Sequence, residues 1–372
     1  MALERLAATA LILVLAPCAR AGMHGKKLIE YGWDRPPTSY VREHVTEMER
    51  IPFDGVVMTI PAPKDDPNKN VLGIRAFGSE KLTPHMVQPA IDDLKVTRFR
   101  RFTDNFVQLT VSPGSVDWFD PNWSTIAGNA GLFARIAKQG RCKGIMFDPE
   151  PYVDKVWTYI KFSEDRRKAH TFEEYKVKVR ERGREFMTAI NKEYPDITIL
   201  CLFGPCGGFH EVGTKPPEER FFGMLNSFYQ GMLDVASPQT IIVDGYEFAY
   251  SFRAREQFVQ ARKSVLTEAR KQFDDPKEFD KHIRMGFGNW TDYNWQNIDW
   301  SAEDFSRNYF SPEALRFSLY HALDVSDRYV WVYSQKLKWW NERNAPQAYV
   351  DALALAKQGP GPGDPNPPPQ PK

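Results

Sequence analysis

Ile197-Thr198-Ile199-Leu200-Cys201-Leu202-Phe203 is a short run that is apolar on both faces, and its reading decides the fold. An antiparallel strand with one wet face alternates apolar and polar residues, whereas a parallel strand covered on both faces does not. Seven more apolar or β-rich runs lie around it: Lys27–Trp33, Phe53–Ile60, Asn105–Ser112, Lys143–Asp148, Thr240–Tyr246, Ile283–Gly288 and Arg328–Ser334. Helical patterns separate them over Ser39–Arg50, Ala127–Lys138, Thr171–Glu193, Glu218–Ala236, Ala254–Phe273, Pro312–Val325 and Ala345–Lys357. The Thr171 pattern is the clearest, with a capping Thr, Glu173 and Glu174 in the first turn, and Phe186, Met187 and Ile190 in one stripe. Eight strands alternating with helices predict an α/β fold, a single (β/α)8 TIM barrel with long βα loops over residues 26–357. The competing open sheet advertises a glycine-rich phosphate turn after its first strand, and here that turn reads Tyr31-Gly32-Trp33-Asp34. The charged, proline-rich stretch Pro61–Thr103 reads as an irregular excursion after the second strand.

The flanks have different characters. Residues 1–21 read as a signal peptide: Arg5, an apolar stretch to Pro17, then Ala19-Arg20-Ala21 before Gly22. Leu15-Ala16-Pro17-Cys18 also resembles a lipoprotein signal, with Pro17 where a small residue belongs. A secreted or periplasmic location is expected, and no later stretch is long and apolar enough to span a bilayer. Residues 358–372 carry seven prolines and three glycines from Gly359 onward and read as a disordered tail.

Of the 372 residues, 49 are Lys or Arg and 48 Asp or Glu, a net charge of +1 that gives no basic excess for a nucleic acid. That balance favours a neutral substrate. A single copy suffices for such a barrel, so a monomer is expected. Cys142, Cys201 and Cys206 remain after the leader; buried thiols are the simplest reading, and a loop disulfide stays open. No metal-ligand spacing, phosphate loop or Gly-x-Ser-x-Gly elbow is present, so neither metal nor cofactor is expected.

In a barrel of this kind, chemistry sits where strands end. The fourth ends Gly144-Ile-Met-Phe-Asp148-Pro-Glu150-Pro-Tyr152. Side chains two apart on a strand share a side, and adjacent carboxylates raise one another's pKa, as a general acid requires. The sixth ends Asp244-Gly-Tyr246-Glu247, which makes Glu247 the second carboxylate for a nucleophile or base. Polar and aromatic residues at the other strand ends are candidate sugar contacts: Glu30, Trp33 and Asp34 on the first, Tyr152 on the fourth, Tyr246 on the sixth, Trp290 and Asp292 on the seventh, and Tyr333, Gln335 and Trp339 on the eighth. Trp118, Trp123, Trp290, Trp295, Trp339 and Trp340 all follow strands, and flat apolar faces of that kind stack on pyranose rings.

The segment Gly144–Tyr152 is similar to the fourth-strand signature of family 18 chitinases and related barrel glycosidases, although Lys143 and Met146 stand where that signature has earlier aspartates. The resemblance implies Glu150 as general acid and Asp148 as the group orienting a substrate N-acetyl, with Tyr246 steadying that group if catalysis is substrate-assisted. The resulting expectation is an exported glycoside hydrolase acting on a neutral oligo- or polysaccharide. A non-catalytic carbohydrate-binding barrel, suggested by the amide of Gln335, and a sugar lyase or epimerase are the alternatives.

Overall fold

The computed structural model describes residues 23, 25–295, 299–340 and 342–359. The leader read over residues 1–21 and the tail beyond Gly359 lie outside the described residues.

Nine strands run parallel in one sheet: β1 (Lys27–Glu30), β2 (Gly55–Met58), β3 (Phe106–Thr110), β4 (Gly144–Asp148), β5 (Thr198–Cys201), β6 (Ile241–Asp244), β7 (Ile283–Met285), β8 (Phe287–Trp290) and β9 (Tyr329–Tyr333). β1 pairs with both β2 and β9, and the ladder continues strand by strand from β2 to β7. β8 then pairs with β9, completing the ring. The chain is a TIM barrel whose seventh strand is divided at Gly286 into a half that pairs with β6 and a half that pairs with β9. Gly286 N–H still donates to the Asp244 carbonyl at 2.7 Å, so the division is a change of partner within one strand. All eight sequence runs are recovered: seven are shortened, while the run read over Ile283–Gly288 continues to Trp290.

The helices α1 (Thr38–Met48), α2 (Pro84–Val96), α3 (Ser124–Gln139), α4 (Glu164–Ala169), α5 (Phe172–Glu193), α6 (Pro205–His210) and α7 (Leu225–Val235) include three that sequence reading missed, α2 and the short α4 and α6. α2 falls inside the supposedly irregular stretch 61–103. Thr83 caps it and Pro84 opens it, but Pro89 inside the helix disguises the pattern. Its Val87, Ala90, Ile91 and Leu94 are nonetheless buried as a stripe. α5 carries the expected cap: Glu174 N–H donates to Thr171 Oγ1, and Thr171 N–H donates back to the Glu174 carboxylate at 2.7 Å. The pattern read over 254–273 is a shorter α8 (Arg255–Lys263) followed by a π-turn over Ser264–Glu268. α9 (Pro276–His282), α10 (Pro312–Val325) and α11 (Gln347–Gln358) complete the outer layer. None of the described helices is long and apolar enough to cross a membrane. Cys142, Cys201 and Cys206 are buried free thiols.

Close packing of β4 on β5 depends on Gly144: a Cβ there would lie 1.8 Å from the Thr198 carbonyl oxygen. Gly144→Ala is expected to destabilise the fold by about 2–4 kcal/mol, because only a backbone shift relieves the clash. Chemical denaturation checks it, and an unchanged midpoint would show that the two strands do not pack this tightly.

Candidate active site

At the C-terminal ends of the strands a cavity of about 870 Å³ opens, and three carboxylates line it: Asp148, Glu150 and Glu247. Asp148 ends β4 and is fully buried. Its Oδ1 accepts the Glu150 N–H at 3.0 Å, and its Oδ2 accepts the Tyr152 hydroxyl at 3.0 Å. Those two bonds stiffen the Pro149–Pro151 turn, whose Pro149 carbonyl is held by the Trp157 indole N–H at 2.7 Å. Glu150 is half-buried at the rim. Glu247 follows β6 across a corner at which Tyr246 adopts a left-handed backbone (φ 39°, ψ 65°), a conformation that costs a non-glycine residue roughly 1–3 kcal/mol. Asp244 pins that corner, accepting N–H groups of Cys206 at 2.7 Å and Tyr246 at 3.0 Å.

Burial sets the electrostatics. It pushes the Asp148 carboxyl up to about 7, with the charge of Glu150 adding and the Glu150 N–H and Tyr152 hydroxyl opposing. It raises Glu247 well above the ordinary carboxylate range, reinforced by the charges of Asp148 and then Glu150. Glu247 Oε2 has no hydrogen-bond partner among the described residues. The sequence reading named Glu150 as general acid; burial favours the protonated form at Asp148 and Glu247.

The cavity walls divide into aromatic and polar parts. Trp33, Tyr152 and Trp295 stand at the rim with 63%, 56% and 62% of their surface exposed. They are the exposed aromatic side chains among the described residues. Tyr31, Tyr250, Trp290 and Tyr333 form the inner wall, with Tyr250 and Tyr333 stacked at 5.3 Å. Gly32 lets the first-strand loop lie against the eighth: a Cβ there would sit 2.5 Å from the Ser334 carbonyl, which accepts the Trp33 N–H at 2.9 Å. Tyr31 thereby faces inward while Trp33 stands over the mouth.

No family model matches the chain, and no curated protein matches it. Solved structures similar to it include PbGH5A, a glycoside hydrolase family 5 enzyme from Prevotella bryantii B14, at 11% identity and a TM-score of 0.49, covering 90% of this chain and 96% of that one. The exo-beta-1,4-mannosidase Op5Man5 from Opitutaceae bacterium strain TAV5 shows 11% identity and a TM-score of 0.47 over 90% of this chain and 59% of that one. A family 5 xyloglucanase from Paenibacillus pabuli shows 10% identity and a TM-score of 0.46 over 90% and 99%. At such identities the likeness concerns the course of the backbone alone.

Of the residues singled out in sequence, Asp148, Glu150, Glu247, Trp33, Tyr152, Trp290, Tyr333 and Gln335 line the cavity together. Five others do not. Asp292 is fully buried, its carboxylate consumed by the N–H groups of Gln335, Lys336 and Leu337 and by the Trp290 indole at 2.9 Å. Asp34 is likewise buried and receives the Trp339 and Trp340 N–H groups at 2.6 and 2.7 Å. Both aspartates hold loops in place. Trp339 packs edge-on against Phe53 in the core. Tyr246, expected to steady an N-acetyl substituent, packs among Phe248, Phe252 and Phe287 and is not among the residues that line the cavity. Glu30 is wholly buried off the cavity, and burial raises its carboxyl well above the usual range.

Trp118, Trp123 and Trp157 also belong to the interior, clustered on Phe77 and Phe228. Conversely, sequence reading missed Arg35, Gln108, Thr110 and Ser112. The signal was present: Gln108, Thr110 and Ser112 alternate with Val107, Leu109 and Val111, polar residues sharing one side of β3 and its extension.

Unfolded Asp148 titrates near 3.8 and folded Asp148 near 7, so the fold holds the extra proton between those values. Stability therefore falls as pH rises through that window and levels off above it. Asp148→Asn should remove up to about 1.4 kcal/mol per pH unit from that slope. Urea denaturation at a series of pH values measures it; an unchanged slope would mean Asp148 is not desolvated.

Proposed function

We propose that the protein is a glycoside hydrolase that cleaves O-glycosidic bonds of an oligo- or polysaccharide, with Glu247 as proton donor and Glu150 as its partner. One observation supports this above others: carboxylates from two strands converge in a cavity whose rim carries the exposed aromatic rings Trp33, Tyr152 and Trp295. Pyranose rings offer apolar C–H faces to such platforms and hydroxyls to groups such as Gln108, Thr110 and Gln335.

The division of labour follows from solvation. Glu247 sits where its charged form is disfavoured, so it carries a proton to the leaving oxygen as the glycosidic bond breaks. Glu150, at the wetter rim, attacks the anomeric carbon or takes a proton from the attacking water. In the first case Glu247, now ionised, removes the proton from the water that releases the sugar, and both groups return to their starting states. Asp148 acts through the turn, fixing Glu150 by its N–H and Tyr152 by its hydroxyl.

Glu150→Gln and Glu247→Gln should each lower kcat by roughly 10²–10⁴-fold while leaving glycan affinity within a few-fold of wild type. Product analysis over a glycan panel, with calorimetric binding alongside, measures both. Full turnover in either variant contradicts the assignment. Binding without turnover by the wild type favours the carbohydrate-binding reading instead.

A further inference from the structure

Arg35 is the one Lys or Arg that lines the cavity among the described residues. It follows exposed Trp33 by two positions on the first-strand loop, is half-buried, and places its guanidinium 5.6 Å from the centre of the Tyr31 ring. Among the described residues it makes neither an ion pair nor a hydrogen bond. Other withdrawn arginines of this chain are engaged. Arg75 pairs with Asp66 and Glu80, Arg182 with Glu185 and two carbonyls, and Arg253 donates to the Tyr309 carbonyl. A guanidinium presents five N–H donors in a planar fork, and leaving them unmatched in a partly dry site is unfavourable. The field of Arg35 reaches Asp148 and Tyr333 without touching either, since it lowers the pKa of both.

We propose that Arg35 recognises a carboxylate carried by the sugar, so that the substrate class is an acidic glycan containing uronic acid residues. The planar carboxylate matches the guanidinium fork in a bidentate pair, and the Tyr31 ring backs the guanidinium. This rests on the glycoside hydrolase reading and replaces the neutral substrate that the net charge of +1 suggested, because whole-chain balance says nothing of the field inside one cavity. The acidic neighbours do not forbid it. Asp148 and Glu247 are both shifted by burial toward their neutral forms, and Glu150 belongs to the fourth strand, three places around the ring from the first. A uronate on the first-strand side leaves the bond to be cut facing β4 and β6.

The test separates recognition from turnover. The Glu247→Gln protein is titrated calorimetrically with oligosaccharides prepared from pectate, alginate and glucuronan, each beside its carboxyl-reduced neutral counterpart of identical linkage. At least one acidic member should bind 10-fold or more tightly than its reduced form. Adding Arg35→Met should abolish that preference while leaving the reduced form's affinity and the melting temperature unchanged. Equal binding of acidic and reduced members throughout the panel overturns the proposal, as does an Arg35→Met variant that weakens both forms alike. A displaced pH–rate profile in Arg35→Met with the preference intact also overturns it, since Arg35 would then act only on Asp148. Failure of the wild type to hydrolyse any glycan sinks the hydrolase reading without touching the binding result.

Discussion

Carboxyl groups withdrawn from water without a cation in contact are the constraint on which this site depends. A buried carboxylate costs free energy unless it is hydrogen-bonded, paired or protonated. Asp34, Asp244 and Asp292 resolve this by accepting several backbone N–H groups, and each serves to hold a loop. Glu247 has no such cage, with one oxygen lacking any partner among the described residues. Burial favours its protonated form against the Tyr250 hydroxyl, and a carboxyl that keeps its proton beside an open cavity can donate it. The same physical cost thus makes three aspartates structural and one glutamate a candidate for chemistry.

The barrel holds this arrangement because β4 and β6 end within one residue of each other in register, with Phe147 and Asp244 both opposite Cys201 of β5. Short corners then carry the chain inward, the Pro149–Pro151 turn to Glu150 and the left-handed Tyr246 to Glu247. Exposed rings at the rim and stacked tyrosines on the inner wall enclose them. Such a surface suits a ligand that is flat and apolar on its faces and polar at its edges.

The strands were legible in sequence because a covered parallel strand leaves an unbroken apolar run, as Ile197–Phe203 does. Strand ends were legible for the same reason, which brought Asp148, Glu150 and Glu247 into view. α2 was hidden by Pro89, whose helix-breaking character outweighed the stripe from Val87 to Leu94. Asp34 and Asp292 looked like sugar ligands because composition cannot tell a carboxylate facing a cavity from one facing backbone N–H groups; only the fold brings residues 335–340 onto them. The tryptophans misled similarly. Trp118, Trp123 and Trp339 follow strands yet pack inside, whereas Trp33 and Trp295 reach the rim. Arg35 went unnoticed because its meaning lies in what does not surround it.

The protonation state of Glu247 tests the central claim most directly. Carbon-13 NMR of protein labelled at glutamate carboxyl carbons, recorded over a pH series, reads each group separately. Burial acts on Glu30 as well as Glu247, so the signals of both are predicted to titrate above the ordinary carboxylate range, one signal lost in Glu247→Gln and the other in Glu30→Gln. A Glu247 signal that titrates at the ordinary carboxylate pH would contradict the account.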